Sequence, residues 1–391
     1  MTRYNFTSLP DRLATNAIKW QKTREDKDLL PLWIADMDFQ VFPEMTAALT
    51  QFAQRSVFGY DAPADSLFEA IIDWEKTQHG VEVAREDIVL IEGAVPAIST
   101  AIQAFTEEGD AVLINTPVYP PFARSVKLNK RKLVTNSLVV EDGRFAIDFD
   151  QLERDIVDNS VKLYIFCNPH NPGGRVWDMA ELKRLGEICR QYGVIMVSDE
   201  IHQDLTLWGK RHQSFYTVDR SFAEFAIILA SATKTFNIAG TKNSFVLIKN
   251  PDLRKAFTDR QLANNQHEIS NLGFVATEVA LREGLPWLTE LKVVLEDNIS
   301  DLLGYFAKEL PDLRVMRPEA TYLLWLDFSA YGLKHSEVAR RLEEEAKVQL
   351  NDGLTFGREG KCCFRLNAAA PKALIMEAAA RIAGAFNNER T

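Results

Sequence analysis

The sequence predicts an α/β fold: a mostly parallel central sheet with helices on both faces, followed by a smaller α+β C-terminal domain. Three observations predict it. Five short runs are apolar along nearly their whole length, as strands covered on both faces are. Amphipathic helical patterns separate these runs, and strand–helix alternation builds a parallel sheet. The alternation stops near residue 285, where a long helical segment begins. At 391 residues the chain exceeds one hydrophobic core, which fits a large domain with a smaller companion.

In chain order, the start "MTRYNFTSLPDRLATN" has no basic segment followed by an apolar run, so no secretory signal is expected. The arm containing "PLWIADMDF" is expected to cross over and join the small domain. The five strand-like runs are "DIVLIEG" (Asp87–Gly93), "DAVLINTP" (Asp110–Pro117), "VKLYIFCNP" (Val161–Pro169), "GVIMVSDE" (Gly193–Glu200) and "FAIILASA" (Phe225–Ala232). Between the third and fourth, "MAELKRLGEICRQY" (Met179–Tyr192) repeats apolar residues at three- and four-residue intervals, the mark of an amphipathic helix. Beyond residue 285 come "WLTELKVVLEDNISDLLGYFAKEL", the strand-like "TYLLWLDF", another helix and the short strand "CCFRLNAA". The predicted division is 46–284 for the large domain, with 1–45 and 285–391 forming the small one.

A net charge of −10 argues against nucleic acid or an anionic membrane surface as a partner. No run approaches the roughly 18 apolar residues of a membrane helix. Four cysteines (Cys167, Cys189, Cys362, Cys363) are too few for a disulfide framework and have no histidine cluster beside them, so neither a disulfide scaffold nor a metal site is expected. The expectation is a reduced, cytoplasmic protein.

Open parallel sheets bind ligands beyond the carboxyl ends of their strands, and the unusual residues fall there. In "IEGAVPAIS" a strand ends at Gly93, and Pro96 suits a first helical turn. The amides of Ala94 and Val95 would then face a phosphate at the positive helix end; a plain strand-to-helix turn is the alternative. Ser231 offers a hydroxyl to the same anion. "CNPHNPGGRVW" forces an irregular loop in which Asn171 either donates into the cleft or caps a turn. "VSDEIHQDL" ends an apolar strand at Asp199, whose burial needs a cationic partner, either a protonated ring nitrogen or a structural ion pair. "ILASATKTFNIAGTKNSF" places Lys234 at the mouth of an apolar strand, where desolvation lowers an amine's pKa and favours a nucleophile. Arg365, inside "FRLNAAA", suits a substrate carboxylate or an internal salt bridge.

Taken together, the order and spacing of Asn171, Asp199, Lys234 and Arg365, with the glycine turn upstream, resemble the pyridoxal-phosphate enzymes of fold type I, the aspartate aminotransferase superfamily. The likeness spans essentially the whole chain. It implies that Lys234 binds the aldehyde of pyridoxal 5′-phosphate and that Asp199 pairs with the ring nitrogen. Asn171 is implied at the phenolic oxygen and Tyr119, in "NTPVYPPF", on the ring face. Gly93, Ala94, Val95 and Ser231 are implied at the phosphate, and Arg365 at the α-carboxylate of an amino-acid substrate. Tyr60, in "VFGYDAP", matches the tyrosine that reaches the neighbouring subunit's phosphate, which implies a homodimer with shared sites. Two positions depart from the usual pattern. Lys242 stands where many aminotransferases carry a phosphate-gripping arginine, and His202 stands where most have tyrosine. "DEIHQDL", "PLWIADMDF" and "EATYLLWLDF" look like the C–S lyase branch, the cystathionine β-lyases, where that histidine lies near the phenolic oxygen; a simply packed histidine is the alternative. The resemblance implies β-elimination from sulfur amino acids, with a class I/II aminotransferase as the other reading.

Overall fold

In the computed structural model, which describes residues 3–387, seven strands form the central sheet. They are β1 (Ile88–Ile91), β2 (Ala111–Thr116), β3 (Lys132–Ser137), β4 (Leu163–Cys167), β5 (Ile195–Asp199), β6 (Ala226–Ala230) and β7 (Ser244–Leu247). Their spatial order is β1-β7-β6-β5-β4-β2-β3. Every pairing is parallel except the two made by β7, which runs antiparallel to both β1 and β6. All five runs read as strands are strands, and the helix read over Met179–Tyr192 has those limits. The fold class is thus as predicted, with one reversed strand inserted.

Continuous apolar sequence follows from burial on both faces. Along β4, Leu163, Ile165 and Cys167 pack into the core on one side of the sheet, while Tyr164 and Phe166 pack into the core on the other. β5 and β6 divide in the same way: Val197, Ile227 and Leu229 face one core, Met196 and Ile228 the other. Both cores are roofed by helices, so neither face offers the alternating polar residues of a one-sided sheet.

The second sheet is antiparallel, with strands β8 (Arg314–Met316), β9 (Leu323–Asp327), β10 (Asn351–Asp352) and β11 (Cys363–Asn367) in the order β8-β9-β11-β10. The 25-residue helix Leu285–Glu309 leads into it. The N-terminal arm reaches this part of the chain: Leu30–Pro31 pairs in parallel with Val348–Gln349, and the Asn367 amide donates to the Leu32 carbonyl over 2.9 Å. A buried ion pair holds the arm's own turns together, with Lys19 Nζ 2.7 Å from Asp38 Oδ2 and Trp20 Nε1 3.0 Å from Oδ1, while the Asp38 amide donates to the Ala369 carbonyl over 2.9 Å. No helix among the described residues is long and apolar enough to cross a membrane.

The loop after β4 joins the two sheets. The amides of Glu319 and Ala320 donate to the Gly174 carbonyl over 2.8 and 2.9 Å. Gly174 has φ +64, and a Cβ there would meet Pro318 Cβ at 2.4 Å and the Ala320 carbonyl at 2.7 Å. Backbone conformation and close approach both require glycine. Gly174→Ala is expected to destabilise the protein by about 2–3 kcal/mol, from left-handed strain plus overpacking, as measured by urea unfolding; a loss below about 0.5 kcal/mol, the range of an ordinary surface change, would contradict this packing.

Candidate active site

Five loops leave the carboxyl edge of the central sheet and carry the candidate residues. β1 ends ahead of Gly93, which caps the helix Ala94–Phe105; no side chain caps that end, so its first amides lack a side-chain partner. Gly93 has extended backbone, and an added Cβ would touch only Pro96, at 3.5 Å. Nothing in the chain itself demands glycine there, and the absence of a side chain leaves the helix end open to close approach. β2 leads to Tyr119, β4 to Asn171, β5 ends in Asp199, and β6 runs into Ser231 and Lys234. Ser231 accepts from the Thr233 amide (3.1 Å) and donates to the Asn243 carbonyl (3.0 Å), fixing the turn that carries Lys234.

β7 brings its N-terminal end to the same edge, with Ser244 opposite Ile91. Lys242 therefore lies two residues from that edge. Its side chain is exposed and its φ is +55. Arg365 enters from the second sheet, on β11, opposite Trp325 on β9 and Asn351 on β10.

These groups converge. Arg365, only 3% exposed, donates from Nη1 to Asn171 Oδ1 (2.9 Å) and from Nη2 to the Trp33 carbonyl (3.1 Å), with its guanidinium 4.9 Å over the Phe356 ring. Its Nε is buried without a partner. Neither Arg365 nor Asp199 has an ion-pair partner among the described residues, so neither is a structural salt bridge. Burial lowers the Arg365 pKa to about 10, which still leaves it charged at neutral pH.

Lys234 is half-buried, and its ammonium donates to the Ala35 carbonyl over 2.7 Å. Burial first, and then the nearby Arg365 charge, lower its pKa to about 8, against the pull of Asp36 and Asp199. Burial likewise raises Asp199 to about 7, although its carboxylate accepts the Ile201 amide at 3.3 Å. His202 is pushed down to about 3 by burial and by the charges of Lys234 and Arg365, and its Nδ1 is buried without a partner. It is a neutral imidazole. Tyr119 lies close enough for Asp199 and Arg365 to act on it, and burial raises its pKa.

Asn171, Asp199, His202, Lys234, Arg365 and Tyr119 thus form one cluster. Tyr60 stands outside it: it is 96% exposed. Sequence reasoning did not single out the Trp33 and Ala35 carbonyls, Phe356, or Tyr322, whose hydroxyl also donates to Ala35 (3.1 Å). The signal for Trp33 and Ala35 lies in "PLWIADMDF" and that for Tyr322 in "EATYLLWLDF", whereas Phe356 falls in neither segment.

The residues fit pyridoxal 5′-phosphate. The site offers a weakly basic amine for an aldehyde and a buried carboxyl that gains a proper partner from a cationic ring nitrogen. An unpartnered imidazole nitrogen and an unpartnered guanidinium nitrogen await polar atoms of a ligand. A helix end with free amides awaits an anion.

Residues 27–382 match the family described as aminotransferase class I and II. The cystathionine beta-lyase PatB of Bacillus subtilis is 40% identical over 386 residues, 98% of this chain and 100% of that protein. Among solved structures, cystalysin from Treponema denticola, which contains a pyridoxal 5′-phosphate cofactor, superposes with a TM-score of 0.95 at 33% identity, covering 98% of this chain and 99% of the other. The PLP-bound C–S lyase from Staphylococcus hominis gives 0.93 at 31% identity, with 98% of each chain covered.

A pKa of about 8 leaves about a tenth of the Lys234 amine neutral at pH 7, far more than for an ordinary lysine. Labelling of Lys234 by an amine-reactive sulfonate in cofactor-free protein should therefore rise with pH to a midpoint near 8, followed peptide by peptide by mass spectrometry. A midpoint near 10.5, the ordinary lysine value, would contradict the desolvated setting.

Proposed function

The chain belongs to the aminotransferase class I and II family, and from that premise we propose that it is a pyridoxal-phosphate-dependent C–S β-lyase. It cleaves cystathionine or related sulfur amino acids to a thiol, pyruvate and ammonia. The observation that carries this reading is the pairing of a buried, carboxylate-free Arg365 with a Lys234 amine of lowered pKa in one cleft. An α-amino acid brings the carboxylate that the first lacks and the acidic α-proton that the second can take. The likeness to C–S lyases favours elimination over transamination.

The cofactor is pyridoxal 5′-phosphate. When bound, it supplies an aldehyde for a primary amine and a ring able to accept the electron pair left at the substrate's α-carbon. Lys234 would hold the aldehyde carbon and Asp199 the ring nitrogen. Asn171 and His202 would face the phenolic oxygen, and Tyr119 the ring. Gly93, Ala94, Val95 and Ser231 would hold the phosphate, with Lys242 as a point charge beside it.

Arg365 binds the substrate α-carboxylate and so fixes which Cα bond faces Lys234. Lys234, released once the substrate's own amine has taken its place at the aldehyde carbon, would take the α-proton as general base. It can return that proton to the departing β-sulfur, so the leaving group exits as a neutral thiol. The remaining enamine hydrolyses with water to pyruvate and ammonia.

A homodimer completes the site. The exposed Val57 (75%), Phe58 (65%) and Tyr60 form a surface that a second copy would cover, with Tyr60 reaching the partner's phosphate. Residues 46–284 form the large unit, with 1–45 and 285–391 forming the small one; the pairing of Leu30–Pro31 with Val348–Gln349 supports this division. Four free thiols fit a reduced, cytoplasmic setting.

Purified protein given cystathionine should release pyruvate and a thiol with no keto acid present; activity only with a keto-acid acceptor would instead establish an aminotransferase. Lys234→Ala should abolish turnover. Arg365→Ala should lower kcat/KM by about 10²–10³-fold, the scale for a lost buried charge pair, and unchanged kinetics would move the carboxylate site elsewhere.

A further inference from the structure

Beneath the cluster lies a second group of buried polar side chains that the reaction does not use. The segment after β5 continues from Asp199 through His202 to Asp204, whose side chain is 4% exposed. Asp204 Oδ1 receives Trp74 Nε1 at 3.0 Å and lies 2.7 Å from His79 Nε2. Its Oδ2 receives the hydroxyl of Thr235 at 2.6 Å. Thr235 is fully buried and directly follows Lys234. Trp74 and His79 belong to the helix Asp65–His79, whose Glu75 accepts Gln203 Nε2 at 2.7 Å. Three side chains of one helix therefore grip the Gln203–Asp204 pair.

Such a group is costly to bury, and apolar residues of similar size would fill the space without that cost. What hydrogen bonds add is direction. Asp204 ties together three pieces of chain: the helix Asp65–His79, the segment carrying Asp199 and His202, and the turn carrying Lys234. Ser231 holds that turn from its N-terminal side, and Thr235 holds it from the other. The Lys234 backbone is clamped between them.

We propose that Asp204 is a positioning residue that, through the Thr235 hydroxyl, fixes Lys234 relative to Asp199 and His202. The proposal rests on Lys234 being the cofactor-binding amine. The carboxylate stays ionised in this role: although burial opposes it, hydrogen bonds and charge from His79, with Thr235 and Trp74, keep its pKa below the ordinary value.

The test uses holoenzyme of wild type, Thr235→Val, Thr235→Ser, Asp204→Asn and the double variant Asp204→Asn/Thr235→Val. Valine keeps the branching and removes only the hydroxyl; serine restores it. Thr235→Val should lower kcat about tenfold with KM changed by less than about twofold, the signature of a group that acts on the reacting geometry and not on uniform binding. The visible circular dichroism of the bound cofactor, divided by its absorbance, should fall at least about twofold, because an immobile lysine orients the chromophore. Thr235→Ser should recover both within about threefold. Thr235→Val should add little on top of Asp204→Asn, as expected of two partners in one interaction. Wild-type kcat and dichroism in Thr235→Val, failure of serine to rescue, or a loss of activity that tracks only a lowered melting temperature would each overturn the proposal. Cofactor found on a residue other than Lys234 in reduced wild-type protein would instead overturn the reading beneath it, and the proposal with it.

Discussion

Two cationic side chains, Lys234 and Arg365, share one cleft with one buried carboxylic acid, Asp199, while the other nearby carboxylate, Asp36, is already paired with Arg12 at 2.7 Å; the rest of the site is arranged around that imbalance. The Arg365 charge, after burial, disfavours the charged form of Lys234, and burial disfavours the charged form of Arg365 itself. Asp199 is only partly ionised at neutral pH. In a chain of net charge −10, the local excess is positive and poorly compensated. Buried charge of this kind is destabilising unless a ligand completes it. A cofactor with a cationic ring nitrogen and an anionic phosphate, followed by a substrate carboxylate, supplies the missing partners. Binding energy and chemistry draw on the same unsatisfied groups, as expected of a preorganised site.

The two sheets exist, for this purpose, to bring those charges together. The central sheet delivers Asp199 at the end of β5 and Lys234 on the turn that follows the adjacent β6, so strand register places the two segments side by side. Arg365, proposed to hold the far end of the substrate, comes from the second sheet. It arrives on β11, and the N-terminal arm closes the gap by offering Trp33 and Ala35 carbonyls to Arg365 and Lys234. The contact through Gly174 keeps the Asn171 loop in place against the segment that leads through Tyr322 into β9, and the hydrogen bond from Arg365 to Asn171 links the two sheets.

Much of this was legible in the sequence because the physics is local. Apolar runs marked β1, β2, β4, β5 and β6, and the polar residue just past each run marked the site. β7 escaped notice: "NSFVLI" is short, begins with polar residues and follows a loop, and its antiparallel insertion depends on pairing with β1 and β6, which no local pattern encodes. Whether Arg365 and Asp199 were internal ion pairs could not be read either, since that turns on which carboxylates and cations lie nearby in space. Asp204 and Thr235 sat inside segments quoted for other residues. Their hydrogen bond joins positions 31 apart, and nothing in the spacing announces it. Tyr60 is the converse case: legible as a residue, yet 96% exposed in a single chain, as the proposed contact with a second copy would require.

The central claim is that the Lys234 nitrogen is the point of covalent attachment for the cofactor. Reduction of the purified holoenzyme with borohydride, followed by proteolysis and mass mapping, tests it directly. The account predicts bleaching of the yellow protein and one pyridoxyl-phosphate adduct, on the peptide spanning Ser231–Phe236 and localised to Lys234. An adduct on another lysine, or none in protein that retains its colour, would contradict it.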